Sequence, residues 1–166
     1  MIGGKVVVKD GPWRKLLARA YWLDKAHVKG GVLADEGGED EHTEGITMLE
    51  LAAIHEFGSP AAGVPQRSFI RSTFDQRAAE LAETAAKLAR LIVTKGMPVR
   101  QALGLLGQWG VKEVKATIRE QRTTSEFYEP QANRPSTVAR KGSDTPLVDT
   151  GRLINAVTSQ VSEGDE

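Results

Sequence analysis

The feature that most constrains the fold is a periodic apolar stripe between Ser68 and Lys95. Apolar side chains recur there at alternating spacings of four and three, which predicts one long amphipathic helix. A neighbouring stripe of alanines would let another element approach closely. Gly96 is expected to end this helix, and Pro98 to begin the next. The apolar stripe contains Phe74, Ala78, Leu81, Ala85, Leu88 and Ile92, and the small one Ala79, Ala82, Ala86 and Ala89.

A second long helix is predicted from Val99 to about Gln121, where apolar residues again recur at helical spacing. Gly104, Gly107 and Gly110 occupy every third position within it. They lack the spacing of a phosphate-binding loop, so we interpret them as a site of close helix packing or a kink. The apolar side contains Leu103, Leu106, Val111, Val114 and Ile118.

Three short runs predict strands, at Lys5–Lys9, Val28–Leu33 and Ala156–Val161. Two long helices can bury their stripes by packing against a small sheet. The predicted fold class is therefore α+β, with a small, mostly antiparallel sheet packed by two long helices and a long extended loop before the C-terminal strand.

Capping signals predict two shorter helices. Asp10 is a typical capping residue, and residues 12–25 follow it with helical spacing after a first-turn proline. Thr47 can begin another helix, since Glu50 completes a capping box, and Gly58 is expected to end it after Phe57. The apolar positions assigned to the first of these helices are Trp13, Leu16, Leu17, Ala20 and Leu23.

The chain is predicted to form a single domain over residues 1–166. Residues 34–45 are acidic and poor in apolar side chains, which predicts a mobile, solvated loop. Residues 122–144 are polar and contain two prolines, which favours an extended arm, and residues 162–166 are expected to fray. Single helical turns are predicted from Ser136 or Thr137 to Lys141 and, with Thr150 as the cap, from Gly151 to Asn155.

Composition excludes several classes of function. The 22 basic and 22 acidic residues balance, which argues against a dedicated nucleic-acid binder, because such proteins gain affinity by neutralising phosphates. The absence of cysteine excludes disulfides, thiolate zinc sites and cysteine nucleophiles. No apolar run approaches the ~20 residues that span a bilayer, and no signal peptide is apparent. We therefore expect a protein made in a reducing cytosol, with no membrane partner.

The pair His55–Glu56 is the candidate for enzyme chemistry. A helical zinc site needs two histidines one turn apart, but the positions one turn from His55 are Leu51 and Ser59. We therefore expect His55 to be a polar residue at a helix end and Glu56 to form a salt bridge or an interface. No catalytic, cofactor or metal residue is assigned, although a metal-dependent hydrolase built on this pair remains an alternative.

Basic residues near the start of the long helix suggest a second alternative. Arg67 and Arg71 lie one turn apart and can grip carboxylates or phosphates, although solvation on an exposed face is the commoner role. Arg67, Arg71, Arg77 and neighbouring basic residues would then contact DNA in a DNA-binding regulator.

Three motifs occur in order along the chain. The first is AAIHEFG at residues 52–58, the second is VPQRSFIRSTFD at residues 64–75, and the third is TPLVDTGRLINAVTSQV at residues 145–161, preceded by TVARKGSD. Together they resemble the neck or tail-completion proteins of tailed bacteriophages, also called virion morphogenesis proteins, including the Mu-like branch. The resemblance covers roughly residues 28–161.

The resemblance implies structural roles for the matched positions, namely turn formation, strand–helix docking and subunit contacts. Phe57 and Phe69 are expected to pin the intervening loop to the core. Gly58 and Gly151 are expected to allow turns, while Asp149 or Thr150 satisfies free N–H groups. The matched residues are His55, Glu56, Phe57, Gly58, Pro65, Arg67, Ser68, Phe69, Arg71, Pro146, Leu147, Asp149, Thr150, Gly151 and Leu153.

The resemblance also implies a function without catalysis. Proteins of this kind complete the tail or join the tail to the head, usually as a ring, often hexameric, around the DNA channel. The implied partners are further copies of the chain, tail-tube or terminator proteins and head connector proteins, with DNA only as passing cargo. The implied location is the virion neck, assembled in the bacterial cytoplasm. The acidic loop at 34–45 would line the channel or face outward, and the arm at 122–144 would order on assembly.

Overall fold

A computed structural model of the chain describes residues 11–34, 41–43, 45–122, 132–133, 135–142, 144, 147 and 151–162. The strand predicted at Lys5–Lys9, the cap at Asp10, most of the acidic loop and most of the frayed tail lie outside these residues. The elements are α1 (Gly11–Lys25), β1 (His27–Val32), β2 (Glu41–Thr43), β3 (Ile46–Thr47), α2 (Met48–Phe57), α3 (Arg71–Gln76), α4 (Ala78–Lys95), α5 (Val99–Arg119), α6 (Pro135–Lys141), α7 (Arg152–Ala156) and β4 (Val157–Ser162).

The predicted α+β class is confirmed. β1 pairs with β4 in an antiparallel register that runs from His27 opposite Ser162 to Val32 opposite Val157. β2 and β3 form a separate small hairpin, which was not predicted because strands of two and three residues are too short to show a period. The long helices differ in role, since α5 packs on both β1 and β4 whereas α4 packs mainly on α5 and α1.

The seam between α5 and the sheet runs through Gly107. A Cβ atom at this position would lie 2.6 Å from Ser159 Oγ and 2.9 Å from Val28 Cγ2. Only a residue without a side chain allows this approach. The glycine repeat is therefore a packing feature at Gly107, as the first of the two interpretations proposed.

Two clusters of buried apolar residues hold these layers together. The larger lies between α2, α5, α7 and the sheet, and the smaller joins α4 to the start of α5. Phe69 and Ile118 are fully buried in the larger cluster, and Ile92 is buried in the smaller. The larger cluster supports the surface described below.

The expectation of one continuous helix from Ser68 to Lys95 is wrong. The helix begins at Arg71 and is interrupted at Arg77, which has φ −108°. Backbone hydrogen bonds nevertheless continue across the interruption, since Arg77 N donates to Thr73 O and Leu81 N donates to Arg77 O, both at 2.9 Å. Before Arg71, the backbone N–H groups bond to a side chain of another helix, so the first turn predicted from Ser68 does not form.

The segment 122–144, predicted as an extended arm, contains helix α6. Its described residues are also tied together and to the body of the protein. Asn133 Nδ2 donates to Asp144 O at 2.8 Å, and Ala132 O accepts from Arg67 Nη2 at 2.9 Å. The predicted turn before Lys141 is confirmed, although the helix begins at Pro135.

The predicted capping box at the start of α2 is confirmed. Glu50 N donates to Thr47 Oγ1, and Glu50 Oε2 accepts from Thr47 N at 2.8 Å. The hydrogen bond from the Thr47 backbone, followed by that from its hydroxyl, lowers the pKa of Glu50. A carboxylate with a lowered pKa in the folded state stabilises the fold at pH values above its unfolded pKa.

We therefore expect Glu50→Gln to lower the thermal midpoint of unfolding at neutral pH. The difference from the wild-type midpoint should shrink as the pH is lowered. The stabilisation should be lost as the pH falls through the folded pKa of Glu50. Thermal unfolding of both proteins between pH 7 and pH 3 measures this difference. A midpoint difference that stays constant across the range would show that the carboxylate charge plays no part.

Candidate interaction surface

The first two motifs meet at the carboxylate of Glu56, which is only 7% exposed. Its Oε1 accepts from Ser68 Oγ at 2.6 Å and from Arg71 N at 3.0 Å. Its Oε2 accepts from Phe69 N and Ile70 N, both at 2.9 Å. The expected salt bridge of Glu56 is therefore wrong, because its oxygens are bound by backbone N–H groups and a hydroxyl at the start of α3.

Further bonds close the loop between α2 and α3. Arg67 N donates to His55 O at 2.8 Å, and Gln66 Nε2 donates to Glu56 O at 3.0 Å. Within the loop, Ser59 and Val64 exchange two backbone hydrogen bonds of 2.9 Å. The loop that follows the first motif is thus a closed hairpin-like turn that returns the chain to the end of α2.

Gly58 is required where α2 ends. Its φ is +76°, and a Cβ atom would lie 2.9 Å from Gln66 N. A side chain would therefore be strained by its backbone conformation and would also meet main chain. The predicted turn at Gly58 is confirmed.

The two arginines of the second motif have different environments. Arg67 is buried, burial lowers its pKa, and its guanidinium donates to Ala132 O. Arg71 is exposed, and its guanidinium lies 5.7 Å from the centroid of the Phe57 ring, within the range of a cation–π contact. Of the two, only Arg71 therefore lies on the surface.

The prediction that Phe57 and Phe69 both pin the loop to the core is half wrong. Phe69 is fully buried in the larger cluster, but Phe57 is 61% exposed. Both residues have the same sequence signal, an aromatic side chain beside a turn. Phe57 is the last residue of α2, and whether a side chain at a helix end is buried depends on which other element covers that end.

An open apolar groove lies beside Phe57. It has a volume of about 320 Å³ and is bounded by α2, the start of α3 and the end of β1. We call it the α2–α3 groove. The residues that line it include Val32, Leu49, Ala53, Phe57, Ile70 and Arg71. Among these, Phe57 and Arg71 were assigned from the motifs. Ala53 and Ile70 lie within the first two motifs but were not assigned, and Val32 and Leu49 lie outside the motifs.

The third motif joins the same core. Leu147 and Leu153 are buried in the cluster that contains Phe69. Gly151, with φ +78°, is the N-cap residue of α7, so the prediction of Thr150 as this cap is wrong, while the predicted short turn is confirmed. Pro146, Asp149 and Thr150 lie outside the described residues, and Pro65 is half-buried within the closed loop.

The geometry does not favour the hydrolase chemistry considered for His55 and Glu56. Both Glu56 oxygens already accept two hydrogen bonds each, so a catalytic proton or a metal would have to displace them. Among the residues that the structure describes, no group of three or more His, Asp or Glu side chains is arranged to hold a metal ion.

The geometry also weakens the basic face considered for DNA. Arg67 is buried. Arg77 lies 2.6 Å from Glu80 and 3.4 Å from Glu113, and the hydrogen bond with Glu80 is the main reason that the pKa of Arg77 is raised. Phosphates would therefore compete with carboxylates for Arg77.

Comparison with models of known protein families found no match, and searches of curated proteins and of solved structures likewise found no similar chain. Within the described part of the chain, no helix has the length and apolarity needed to cross a bilayer.

Proposed function

We propose that this chain is a structural virion protein of the head–tail junction of a tailed phage. It completes the tail or joins the tail to the head as a cyclic homo-oligomer, expected to be a hexamer, around the DNA channel. The proposal rests on the three motifs and their order along the chain. Its expected partners are tail-tube or terminator proteins and head connector proteins, with DNA passing through.

The observation that carries the proposal is the bonding of Glu56. Glu56 of the first motif accepts hydrogen bonds from backbone N–H groups of the second motif. Residues of the third motif are buried in the same apolar cluster as Phe69 of the second. These contacts support a structural role for the matched residues, which is the role that the resemblance implies. What remains on the surface is an apolar groove bordered by Phe57 and Arg71, and exposed apolar surface of this kind is typical of protein–protein contacts.

The acidic stretch at residues 34–45 is compatible with two placements in a ring. It would line the channel, where negative charge lets DNA slide past, or it would face the outside. The described residues favour neither placement.

The proposal is tested by measuring the mass of the purified protein with light scattering and by imaging it with negative stain. We expect rings with a central hole, or a monomer that binds tail-tube or connector proteins encoded with it. A chain that neither forms rings nor binds either class of protein would contradict the proposal. Zinc that copurifies and is lost in His55→Ala would favour the hydrolase instead, and salt-sensitive duplex binding would favour the regulator.

A further inference from the structure

The face of helix α1 that meets α4 forms one wall of another pocket. The pocket has a volume of about 510 Å³ and lies between residues 11–19 of α1 and Val93 of α4. We call it the α1–α4 pocket. Leu16, half-buried, contributes to its apolar lining. Trp13 and Leu17 lie outside this lining and are 61% and 51% exposed, so the expectation that both face the core is wrong.

The charged residues that line the α1–α4 pocket are both cations. Lys15 and Arg19 lie one helical turn apart on its wall, and no carboxylate lines it. Within the described part of the chain, neither side chain forms an ion pair or a hydrogen bond. By contrast, Arg77 and Lys87 lie 2.6 Å and 2.7 Å from carboxylate oxygens. The positive charge of the pocket is therefore not neutralised by the described residues around it.

Neither wall of the pocket has a carboxylate that could turn toward these cations. Residues 84–112, which include the α4 wall, contain no Asp or Glu. Asp24 is the one carboxylate of α1, and it lies five positions from Arg19 and therefore on another side of the helix. Arg19 reaches the end of α4, since a Cβ atom at Gly96 would lie 2.7 Å from its Nη2. The two cations are thus available to a ligand.

Two cations without a carboxylate match a ligand group that carries two negative charges. A phosphate monoester carries about −1.5 to −2 near neutral pH, whereas a carboxylate or a single phosphate of a DNA strand carries one. The guanidinium of Arg19 can donate two parallel hydrogen bonds to phosphate oxygens, and Lys15 adds a further donor. The pocket volume lies within the range of small-molecule sites, and Pro12, Leu16 and Val93 give it apolar walls.

We propose that the α1–α4 pocket binds a small molecule that carries a phosphate monoester on an apolar body. Lys15 and Arg19 bind the phosphate, and Leu16 and Val93 contact the apolar body. Since like charges one turn apart destabilise a helix, the bound dianion also stabilises α1. The site goes beyond the proposed function and is independent of it, because it uses no residue of the three motifs.

Isothermal titration calorimetry of the full chain with phenyl phosphate, inorganic phosphate and phenyl sulfate tests the site. Phenyl sulfate has the shape of phenyl phosphate but only one negative charge. We expect phenyl phosphate to bind roughly fivefold more tightly than inorganic phosphate, because its ring buries apolar surface. It should bind roughly tenfold more tightly than phenyl sulfate, because the second negative charge attracts both cations. Phenyl phosphate should also raise the thermal midpoint of unfolding.

Two variants remove the cations one at a time. Lys15→Gln and Arg19→Gln are each expected to weaken the binding of phenyl phosphate by roughly tenfold, since each removes a charged hydrogen-bond donor. Arg14→Gln is the matched control, because it removes one positive charge from the same helix at an exposed position outside the pocket. It should retain binding to within about twofold, since solvent and salt screen a charge at that position.

A further variant adds a competing charge. Val93→Glu places a carboxylate opposite the two cations at a position that is 50% exposed, so the variant should fold normally and lose binding. Two results would overturn the proposal: no detectable binding of millimolar phenyl phosphate to the wild type, or binding that stays unchanged in all three pocket variants. Equal binding of phenyl sulfate, or tighter binding of duplex DNA without terminal phosphates, would overturn the assignment of a phosphate monoester.

Discussion

Replacing Glu56 with Gln is expected to lower the free energy of unfolding by about 2–4 kcal/mol, and replacing it with Ala by about 3–5 kcal/mol. In Glu56→Gln an NH₂ group takes the place of one carboxylate oxygen, and each oxygen faces two donors. Even if Ser68 turns its hydroxyl to accept, a backbone N–H at the start of α3 loses its acceptor. Chemical denaturation of the purified variants measures the effect.

Glu83→Gln is the matched control. Glu83 is exposed and pairs with Lys87 at 2.7 Å across one helical turn, an arrangement that contributes little to stability. We expect no measurable shift of its unfolding midpoint. If Glu56→Gln also unfolds at the wild-type midpoint, the carboxylate does not hold the motifs together, and the structural role proposed for them loses its main support.

Two glycines of α5 are expected to respond to alanine with opposite signs. A Cβ atom at Gly104 would have no neighbour within 4 Å, whereas one at Gly107 would meet Ser159 and Val28. Alanine is favoured over glycine in a helix interior by about 1 kcal/mol, so Gly104→Ala should stabilise the protein by up to about that amount. Gly107→Ala should destabilise it by about 1–3 kcal/mol, because overpacking forces α5 and the sheet apart.

The pair is its own control, since both changes add the same methyl group to the same helix. Equilibrium unfolding in urea distinguishes the outcomes. Stabilisation by Gly107→Ala would mean that α5 does not lie against β1 and β4 in the way described. The Phe69 and Leu153 cluster would then need another partner.

Several helices and helix ends follow from local patterns in the sequence. Thr47 and Glu50, three residues apart, predict the start of α2, and Gly58 predicts its end. Spacings of three and four predict α4 and α5, because the period of a helix is a property of the backbone alone. The local composition and alternation of short runs likewise predict β1 and β4 to within one residue of their observed bounds.

The surface could be predicted only in part. The motifs indicate Phe57 and Arg71, but no local signal places Val32 and Leu49, which lie outside the motifs, beside them. Two residues with the same local signal can also differ in burial, since Arg67 is buried while Arg71 is exposed. Burial depends on which distant element covers a residue, and no single short pattern contains that information.

Short-range spacing specifies most of the longer helices and the strands β1 and β4 here, because hydrogen bonds within a helix and alternation along a strand depend on neighbours in the chain. The partners of Glu56 required the tertiary fold. The N–H groups that bind this carboxylate come from residues 13 to 15 positions later, which approach it only after α2, the closed loop and α3 have packed. The same packing leaves Phe57 on the surface.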